Sequence, residues 1–600
     1  MGRWRVPLAA GVVGAALSAY LLAKQRGSGC RPSEAERLKR TILTSRWPSA
    51  KRKAIRRLAN LRVSSYEAVE LACSLPASVL LRLQLLGSNI PSSTAPFRQP
   101  PSLDYSKLLR RLKKLLRATL DDSAVDEEAR ALAEIALKRR TWTPSAQFDE
   151  EVFGGGFDHP ELIDWSEFLD RHPDEKTLYL AAKALYFQSK EPCQAKRLCD
   201  LGSLLVLRDL WDYSSSQQGD LSVVLQTVAL QTISNISELE DGAQWIASAG
   251  WLPILAECQS SSVLSYRLLA RKIQLNGSSL ERTRSRTGAV RYTDGVYPLN
   301  DGGSEEGDER HFDVDVVFVH GLMGSVFWTW RQRDDLGDAQ DQQSMCWPRD
   351  WLAGDLPFRA RLIGVDYSSA ITHRGLNSRL RPSPKQAATL VDEPSKKNLS
   401  KRQSENTIKA KAEQLRERVS AAGVGSRPIL WVGHSMGGLV VKKVLVDAEK
   451  LARSDPGCRG ILSQTRGVLF LSTPHFGSPM ASQTVNSRLW QRLLRPSTEV
   501  AELSEENPHL GILAERFVEV ARRTGMHVVS VAETKSSVVK LGSRITYEML
   551  MVPKYSAYGG VGALYAFDTS HFCTSKPSSK QCDLYRVVRK FCLDSVDRSV

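Results

Sequence analysis

The chain has 600 residues, too many for one hydrophobic core, so about two to four domains are expected. Its 42% hydrophobic and 25% charged residues are typical of a globular protein. The net charge of +16 favours anionic partners, either phospholipid surfaces or nucleic acid. The sequence has no zinc-ligand spacing, no RNA-binding motif and no alternation of basic and aromatic residues, so nucleic-acid binding is not expected.

The N-terminus carries an uncharged, mostly apolar run of 18 residues, from Val6 to Ala23. At about 1.5 Å per residue, a helix of this length could span a thin bilayer. A retained signal anchor, a cleaved signal peptide and an organelle-targeting segment are the alternatives. The length of the run, followed by the basic Lys24 and Arg26, favours a retained anchor within residues 1–30. Weak hydrophobicity with basic flanks predicts the mitochondrial outer membrane or the endoplasmic reticulum.

The ten cysteines are scattered, and none forms a Cys-x-x-Cys pair. This usage fits a reducing compartment better than secretion. No metal site and no cofactor are predicted.

Residues 31–281 have a helical pattern, with apolar residues three and four apart in Glu127–Lys138 and Lys176–Ser189. Gly202 and Gly250 each stand beside an apolar helical run, and they lie 48 residues apart in the sequence. That distance is close to the armadillo or HEAT period of about 40–47 residues. The region therefore resembles an armadillo-type solenoid, and an irregular helical domain is the alternative.

A polar, Gly- and Ser-rich linker is predicted over residues 282–310, and an α/β domain over 311–600. In this second region short apolar strands alternate with helical stretches, which is the signature of a mostly parallel sheet. The predicted strands are Val314–Val319, Ala360–Tyr367, Ile429–Val432, Gly467–Ser472 and His527–Val531. A polar, basic insert over Ser368–Glu405 is predicted to be a mobile loop, and the helical stretch Pro479–Arg523 lies where lids often sit.

The most informative motif is Gly-His-Ser-Met-Gly, between an apolar strand and an apolar helix, with Ser435 at its centre. Strand, sharp turn and helix are the context of a nucleophile elbow. Gly433 and Gly437 allow two backbone segments to pass closely at the turn. The alternative is a Gly-rich turn that merely buries a serine.

A serine nucleophile needs a base, and the base needs an orienting acid. His571 follows Ser435 in the order expected for this fold, after the last strand and before a terminal helix over Cys582–Leu593. For the acid, Glu533 stands at the end of a strand that follows the elbow, and Asp568 is the rival. Glu533 is favoured because Asp568 is only three residues from His571 and could instead cap a turn.

The oxyanion hole needs backbone N–H groups directed at the developing negative charge. One donor is predicted at Met436, directly after the nucleophile, and the other at Leu322, where a strand runs into His-Gly. His320 and His434 are predicted to shape these loops rather than act as bases. His475, in the segment Thr473–Ser478 predicted to line the pocket, comes too early in the chain to be the base.

Taken together, the motifs Phe-Val-His-Gly-Leu, Gly-His-Ser-Met-Gly-Gly, Ser-Thr-Pro-His-Phe-Gly, Glu-Thr-Lys and Asp-Thr-Ser-His, with the anchor and the helical region, resemble the serine active site-containing protein family of lipase-like proteins. The C-terminal half is more distantly similar to inositol deacylases. The family resemblance implies an α/β-hydrolase that remodels acyl chains of phosphatidylglycerol at mitochondria and their contacts with endoplasmic reticulum. It also implies an effect on intracellular cholesterol.

Two hypotheses follow for the function. In the first, a membrane-anchored serine hydrolase or acyltransferase acts on a phospholipid, and the same chemistry would serve an esterase or thioesterase on another acyl substrate. In the second, the protein is a non-catalytic membrane scaffold whose helical region binds a protein partner.

Overall fold

The computed structural model describes residues 34–45, 48–60, 79, 105–120, 125–137, 173–216, 220–283, 290–300, 312–322, 324–332, 345–367, 407–486, 498–505, 507–541 and 545–597. The predicted N-terminal anchor and the polar insert over 368–405 lie outside these residues. Among the helices that are described, none combines the length and the apolar character needed to cross a bilayer.

Helices make up the first half of the described chain. In order they are α1 (Glu34–Thr44), α2 (Pro48–Ala59), α3 (Tyr105–Leu120), α4 (Glu127–Leu137), α5 (Pro173–Ser189), α6 (Pro192–Asp200), α7 (Ser203–Ser215), α8 (Asp220–Ile236), α9 (Gly242–Ser248), α10 (Leu252–Ser260) and α11 (Leu264–Thr283). In α3 the apolar residues recur three and four apart, so that Leu108, Leu112 and Leu115 are buried on one side.

Two compact units divide the chain, residues 1–101 with 241–257 and residues 102–240 with 258–600. In the first unit α1 packs against α2. In the second unit α5 packs against α3, α4 and α8, and α8 packs against α7 and α11. The hydrophobic faces of these helices therefore form the interior of a helical layer in the second unit.

The helices predicted around Glu127 and Lys176 are present, and α5 begins three residues earlier than predicted, at a proline that the first turn of a helix accepts. Gly202 and Gly250 both have φ of 79°, and each lies in a turn between two helices. Left-handed φ is the conformation that glycine adopts without steric cost. The helices around both glycines match the predicted pattern, while the armadillo repeat itself stays a prediction.

The second half contains one seven-stranded sheet with the order β1-β3-β2-β4-β5-β6-β9 and a separate hairpin, β7-β8. All pairs in the large sheet are parallel except β1 with β3. The strands are β1 (Val296–Pro298), β2 (Val314–Val319), β3 (Ala360–Val365), β4 (Ile429–His434), β5 (Thr465–Leu471), β6 (His527–Glu533), β7 (Ser537–Leu541), β8 (Ile545–Met549) and β9 (Ala563–Phe567). The prediction of a mostly parallel sheet is confirmed, and β1, β7, β8 and β9 are strands that the sequence pattern did not indicate.

Helices cover both faces of this sheet. After a π-helical turn (Pro348–Leu352) they are α12 (Ala353–Asp355), α13 (Ile408–Ala421), α14 (Met436–Leu451), α15 (Pro456–Gln464), α16 (Pro479–Asn486), α17 (Thr498–Glu502), α18 (Pro508–Thr524), α19 (Lys554–Ala557) and α20 (Asp583–Asp597), with a 3-10 helix over His571–Ser575 between α19 and α20. Val468 and Phe470 of β5 point into the core formed with α13, α14 and α18. Gly467 lies one residue out of phase with them, and its backbone is packed against Phe591 of α20, so α20 covers the opposite face.

Strand β1 lies inside the 282–310 segment for which a linker was predicted. Val296 pairs with Val365 of β3, and the strand is buried throughout. Three residues are too few to show the alternation by which strands are recognised, so the surrounding Gly, Ser and charged residues dominated the pattern. This part of the segment therefore belongs to the sheet.

The sheet also buries an ion pair. Arg361 of β3 stands opposite Asp315 of β2, and its guanidinium donates to both carboxylate oxygens at 2.7 and 2.9 Å. Arg427 donates to the same carboxylate at 3.2 Å. With Asp315 fully buried, both arginines are needed to compensate the loss of hydration.

Candidate active site

The turn between β4 and α14 has the geometry of a nucleophile elbow. Ser435 has φ of 52° and ψ of −129°, a conformation that is strained for a non-glycine residue. The backbone segments at this turn pack so closely that neither Gly433 nor Gly437 has room for a side chain. A Cβ on Gly437 would lie 2.2 Å from the carbonyl oxygen of His320, and one on Gly433 would lie 2.6 Å from the Cα of Gly438. Together these contacts hold the Ser435 side chain at the tip of the turn.

Ser435, His571 and Glu533 form one hydrogen-bonded line. Nε2 of His571 lies 3.0 Å from Oγ of Ser435, and Nδ1 lies 2.6 Å from Oε2 of Glu533. All three residues are buried, with exposed fractions of 7%, 5% and 1% for Ser435, His571 and Glu533. In this arrangement the imidazole can take the hydroxyl proton at Nε2 while the carboxylate stabilises the imidazolium that forms.

The structure separates the two candidates for the acid. Asp568 is exposed and its carboxylate pairs with Nζ of Lys535 at 2.9 Å. Glu533 instead ends β6 directly beneath His571, and its second oxygen accepts the Val552 N–H at 2.9 Å. The second contact fixes the rotation of the carboxylate, so that the other oxygen stays directed at His571.

Backbone contacts position the His571 loop. The His571 N–H donates to Oγ of Ser537 at 3.1 Å, and its carbonyl accepts from Nε2 of His434 at 3.1 Å. Burial, followed by the nearby His571, lowers the pKa of His434 well below its ordinary value. His434 is therefore neutral and carries its proton on Nε2, because a carbonyl can only accept. This agrees with the predicted loop-shaping role of His434.

Met436 directly follows Ser435 in the chain, and Leu322 directly follows a glycine that packs against Ser435. Met436 is the first residue of α14, so its N–H has no partner within the helix. Leu322 follows Gly321, at which a Cβ would lie 2.6 Å from Cβ and 3.2 Å from Oγ of Ser435. The loop after β2 therefore passes directly over the serine, while the two oxyanion donors, Met436 and Leu322, stay predictions.

His320, at the start of this loop, is buried and held on three sides. Its Nε2 lies 2.7 Å from a carboxylate oxygen of Asp366, and its ring stacks on Tyr367 at 4.4 Å. The Tyr367 hydroxyl donates to the His320 carbonyl at 2.6 Å. His320 thus fixes the loop to the end of β3, as predicted, and does not contact the hydroxyl of Ser435.

The predicted pocket segment, Thr473–Ser478, follows β5, and His475 within it is buried edge-on to Phe470. Lys442 of α14 lies near it, since a Cβ built at Gly559 would be 3.2 Å from Cε1 of His475 and 3.2 Å from Nζ of Lys442. Burial, followed by the charge of Lys442, lowers the pKa of His475 well below its ordinary value, and burial lowers that of Lys442 to about 7. His475 lies in the core rather than on the Ser435 line, consistent with its exclusion as the base.

Several site contacts have no sequence motif. Val552 and Asp366 lie in loops and Ser537 begins β7, and each contacts the site through a partner at least 19 residues away in the chain. Within the described ranges, no group of three or more His, Cys, Asp or Glu side chains could hold a metal ion.

A mostly parallel sheet flanked by helices, with a strained serine between β4 and α14 and a His–Glu pair at the end of β6, defines a lipase-like α/β-hydrolase. The chain belongs to the family of Protein SERAC1: it is 31% identical to Protein SERAC1 of Danio rerio over 512 residues, covering 83% of this chain and 70% of that protein. Protein SERAC1 of Bos taurus is also 31% identical, over 517 residues that cover 84% of this chain and 70% of the relative. No protein-family model matches the chain.

Among solved structures, similarity is found to the mature form of the Bacillus licheniformis lipase BlEst2, at 15% identity and a TM-score of 0.28, over 46% of this chain and 91% of that one. Phospholipase PlaB of Legionella pneumophila is similar at 12% identity and a TM-score of 0.22, over 48% and 63% of the two chains. Likeness this low carries no information about the activity of the present chain.

Proposed function

We propose that the protein is a membrane-associated serine hydrolase or acyltransferase that acts on phospholipid acyl esters. The observation that supports this most directly is the buried line from Ser435 through His571 to Glu533, with hydrogen-bond distances of 3.0 and 2.6 Å. A hydroxyl is a poor nucleophile at neutral pH, and this arrangement is the means by which proteins activate one.

In the proposed reaction Oγ of Ser435 attacks the acyl carbonyl carbon and its proton passes to Nε2 of His571. The backbone N–H groups of Met436 and Leu322 bind the oxyanion. The tetrahedral intermediate then expels the alkoxide, which takes the proton from His571 and leaves as a lysophospholipid. Water, or the hydroxyl of a second lysophospholipid, attacks the acyl-enzyme by the same proton route and regenerates the serine.

The proposed substrate is phosphatidylglycerol, and the proposed location is the mitochondrial outer membrane and its contacts with endoplasmic reticulum, with an influence on cholesterol handling. Membership of the SERAC1 family and the apolar run at Val6 to Ala23 support this part of the proposal. The net charge of +16 is favourable for contact with anionic lipid surfaces. The helical region is proposed to bind a protein partner.

The proposal is tested with the purified full-length protein and a fluorophosphonate probe, which reacts only with an activated serine. Wild-type protein is expected to be labelled, and Ser435→Ala and His571→Ala are expected to lose labelling. Ser426→Ala, which removes an exposed hydroxyl, serves as the matched control and should label normally. A folded wild-type protein that stays unlabelled would contradict the enzymatic function and favour the scaffold.

The lipid products distinguish hydrolysis from transacylation. Vesicles containing phosphatidylglycerol are incubated with the protein, and lipids are analysed by mass spectrometry. Free fatty acid with lysophosphatidylglycerol indicates hydrolysis, whereas an isotope-labelled acyl chain moved onto added lysophosphatidylglycerol indicates transacylation. Labelling of Ser435 without either product would reject phosphatidylglycerol and direct the search to other esters and thioesters.

A further inference from the structure

The segment 290–298, which we call the bridging segment, is held by the helical layer through its backbone. Asn276 of α11 donates to the Tyr292 carbonyl at 3.0 Å and accepts the Tyr292 N–H at 3.0 Å. Nζ of Lys272, one turn earlier on α11, donates to the Thr293 carbonyl at 2.7 Å. These contacts fix the path of the bridging segment relative to α11, before its last three residues enter the sheet as β1.

Asp294, in the bridging segment, links the helical layer to α13 through charged contacts. Its carboxylate accepts from the Tyr186 hydroxyl at 3.1 Å and pairs with Lys190 at 3.4 Å, both contributed by the region of α5. On its other side lies Nη2 of Arg418, on α13, at 3.9 Å. Burial alone would raise the pKa of Asp294, but the charges of Lys190, Lys272 and Arg418 hold that pKa below its ordinary value. The carboxylate therefore remains charged between the helical layer and α13.

Arg418 also binds the backbone of the residues that follow β3, which we call the Asp366 turn. Its Nη1 donates to the Asp366 carbonyl at 2.8 Å, while the Asp366 N–H donates to the Gly295 carbonyl at 2.6 Å. Gly295 has φ of 78°, and a Cβ there would lie 2.6 Å from Nη1 of Arg418. The guanidinium is thus enclosed by the bridging segment on one side and the Asp366 turn on the other.

The Asp366 turn supports the loop after β2, which contains His320, Gly321 and the predicted oxyanion donor Leu322. The Asp366 carboxylate holds the ring of His320 at 2.7 Å, and the next residue, Tyr367, donates to the His320 carbonyl. Gly321, the residue after His320, lies against Ser435. A displacement of the Asp366 turn would therefore displace the backbone that brings Leu322 to the oxyanion.

We propose that Arg418 is a positioning residue for the oxyanion hole, through which the helical layer sets the geometry of the loop carrying Leu322. The inference rests on the proposed hydrolase function. Arg418 contacts neither substrate nor the Ser435 line; it acts on the Asp366 carbonyl, and through Asp366 and His320 on the loop. The helical layer is thereby part of the active-site scaffold, held to it through Asp294.

The structure offers a matched control two residues away. Arg416 lies on the same helix, is exposed to a similar degree (21% against 24% for the Arg418 side chain) and pairs with Asp455 at 2.9 Å on a surface that does not contact the loop. Arg418→Gln and Arg416→Gln each remove one guanidinium from α13. Hydrolysis of p-nitrophenyl butyrate by the full-length protein is measured to separate kcat from KM, together with the Tm of each variant.

Arg418→Gln is expected to lower kcat by roughly tenfold or more while KM stays within about twofold, because a hole displaced by a fraction of an ångström binds the transition state less well than before. Arg416→Gln is expected to keep both constants. Arg418→Lys, which keeps one donor for the Asp366 carbonyl, should recover part of kcat. A purely structural role would instead lower Tm equally in both Gln variants and leave kcat of the folded protein unchanged, which would overturn the proposal.

Asp294→Asn tests the connection to the helical layer. It is expected to lower kcat in the same way, and the double variant Asp294→Asn/Arg418→Gln is expected to lose no more than Arg418→Gln alone, because the two act in series. If the kcat losses of the two single variants instead multiplied in the double variant, Asp294 and Arg418 would act independently, which would contradict this connection. Fluorophosphonate labelling separates the two proposals: an unlabelled wild type rejects the hydrolase function, whereas a labelled wild type with Arg418→Gln reacting at the same rate rejects only the positioning role.

Discussion

Oε2 of Glu533 lies 2.6 Å from Nδ1 of His571, although 38 residues separate the two in the chain, while Asp568, only three residues from His571, pairs with Lys535 on the surface. Parallel pairing of β6 with β9 explains the difference. Glu533 stands opposite Phe567 in the register. The chain that follows β9 therefore passes over the end of β6, where His571 contacts the Glu533 carboxylate.

Glu533→Gln is expected to lower kcat by roughly 10³-fold or more. The amide would keep its contact with Val552 but present an N–H to Nδ1 of His571, which favours the tautomer that cannot accept the serine proton. Asp568→Asn is the control and should retain wild-type activity. Equal losses in the two variants, measured as ester hydrolysis with Tm followed in parallel, would contradict the assignment of the acid.

Gly321→Ala is expected to lower ester hydrolysis by about 10²-fold, since its new methyl group would lie 2.6 Å from Cβ of Ser435 and must push the loop and the serine apart. Gly511→Ala is the matched control, because a Cβ at that position of α18 would have no atom within 4 Å beyond its chain neighbours and the helix's own backbone. Wild-type activity in Gly321→Ala would show that the loop has more room over the serine than the contacts indicate.

Lys442→Met is expected to remove a pH dependence of stability. Burial lowers the pKa of Lys442 from 10.5 to about 7, so between these values the unfolded chain binds more protons than the folded one. The free energy of unfolding of the wild type therefore rises with pH across this interval. In Lys442→Met this contribution is absent, and the variant is expected to be more stable than the wild type at pH 7.

Urea unfolding at about pH 7 and about pH 9.5 measures the effect, and the adjacent Lys443→Met is the control. Lys443 is partly exposed and pairs with Asp447 at 2.6 Å. Its removal should therefore leave the rise of the free energy of unfolding with pH as it is in the wild type. Identical slopes in all three proteins would show that Lys442 is not the group that titrates.

Arg361→Met is expected to destabilise the fold by about 3–5 kcal/mol, because it leaves Asp315 buried with only the more distant Arg427 to compensate it. Arg516→Met, which breaks an exposed pair with Glu519, is expected to change the free energy of unfolding by less than about 1 kcal/mol. Chemical unfolding of the two variants gives the comparison, and a loss in Arg361→Met no larger than that of Arg516→Met would contradict it.

The sequence indicates those parts of the molecule whose signals are local. The elbow around Ser435 combines a buried strand, two close-packed glycines and a helix within one short stretch, and its predicted strand and helix are confirmed. Chain order was enough to propose His571. The pattern favoured Glu533 over Asp568 because Glu533 ends a strand, whereas the contact of Glu533 with His571 depends on strand register, which the sequence does not record.

Other features depend on contacts that no local pattern records. Ser537 and Val552 are recognised only when β6 and the chain around β9 are in place. Arg418 appears in the sequence as one more cation on an amphipathic helix, and only the folded backbone brings it to the Asp366 carbonyl, 52 residues away. Strand β1 was hidden because its three residues lie in a polar stretch.

The position of β1 has a practical consequence for work with fragments. A fragment that begins at residue 311 would contain the elbow, the histidine and the glutamate, yet it would lack the strand that pairs with β3. The N–H and C=O groups of β3 along that side would then be unpaired, on a strand whose side chains are buried in the whole protein. Such an exposed apolar edge is a template for aggregation. A soluble catalytic fragment must therefore begin before residue 290.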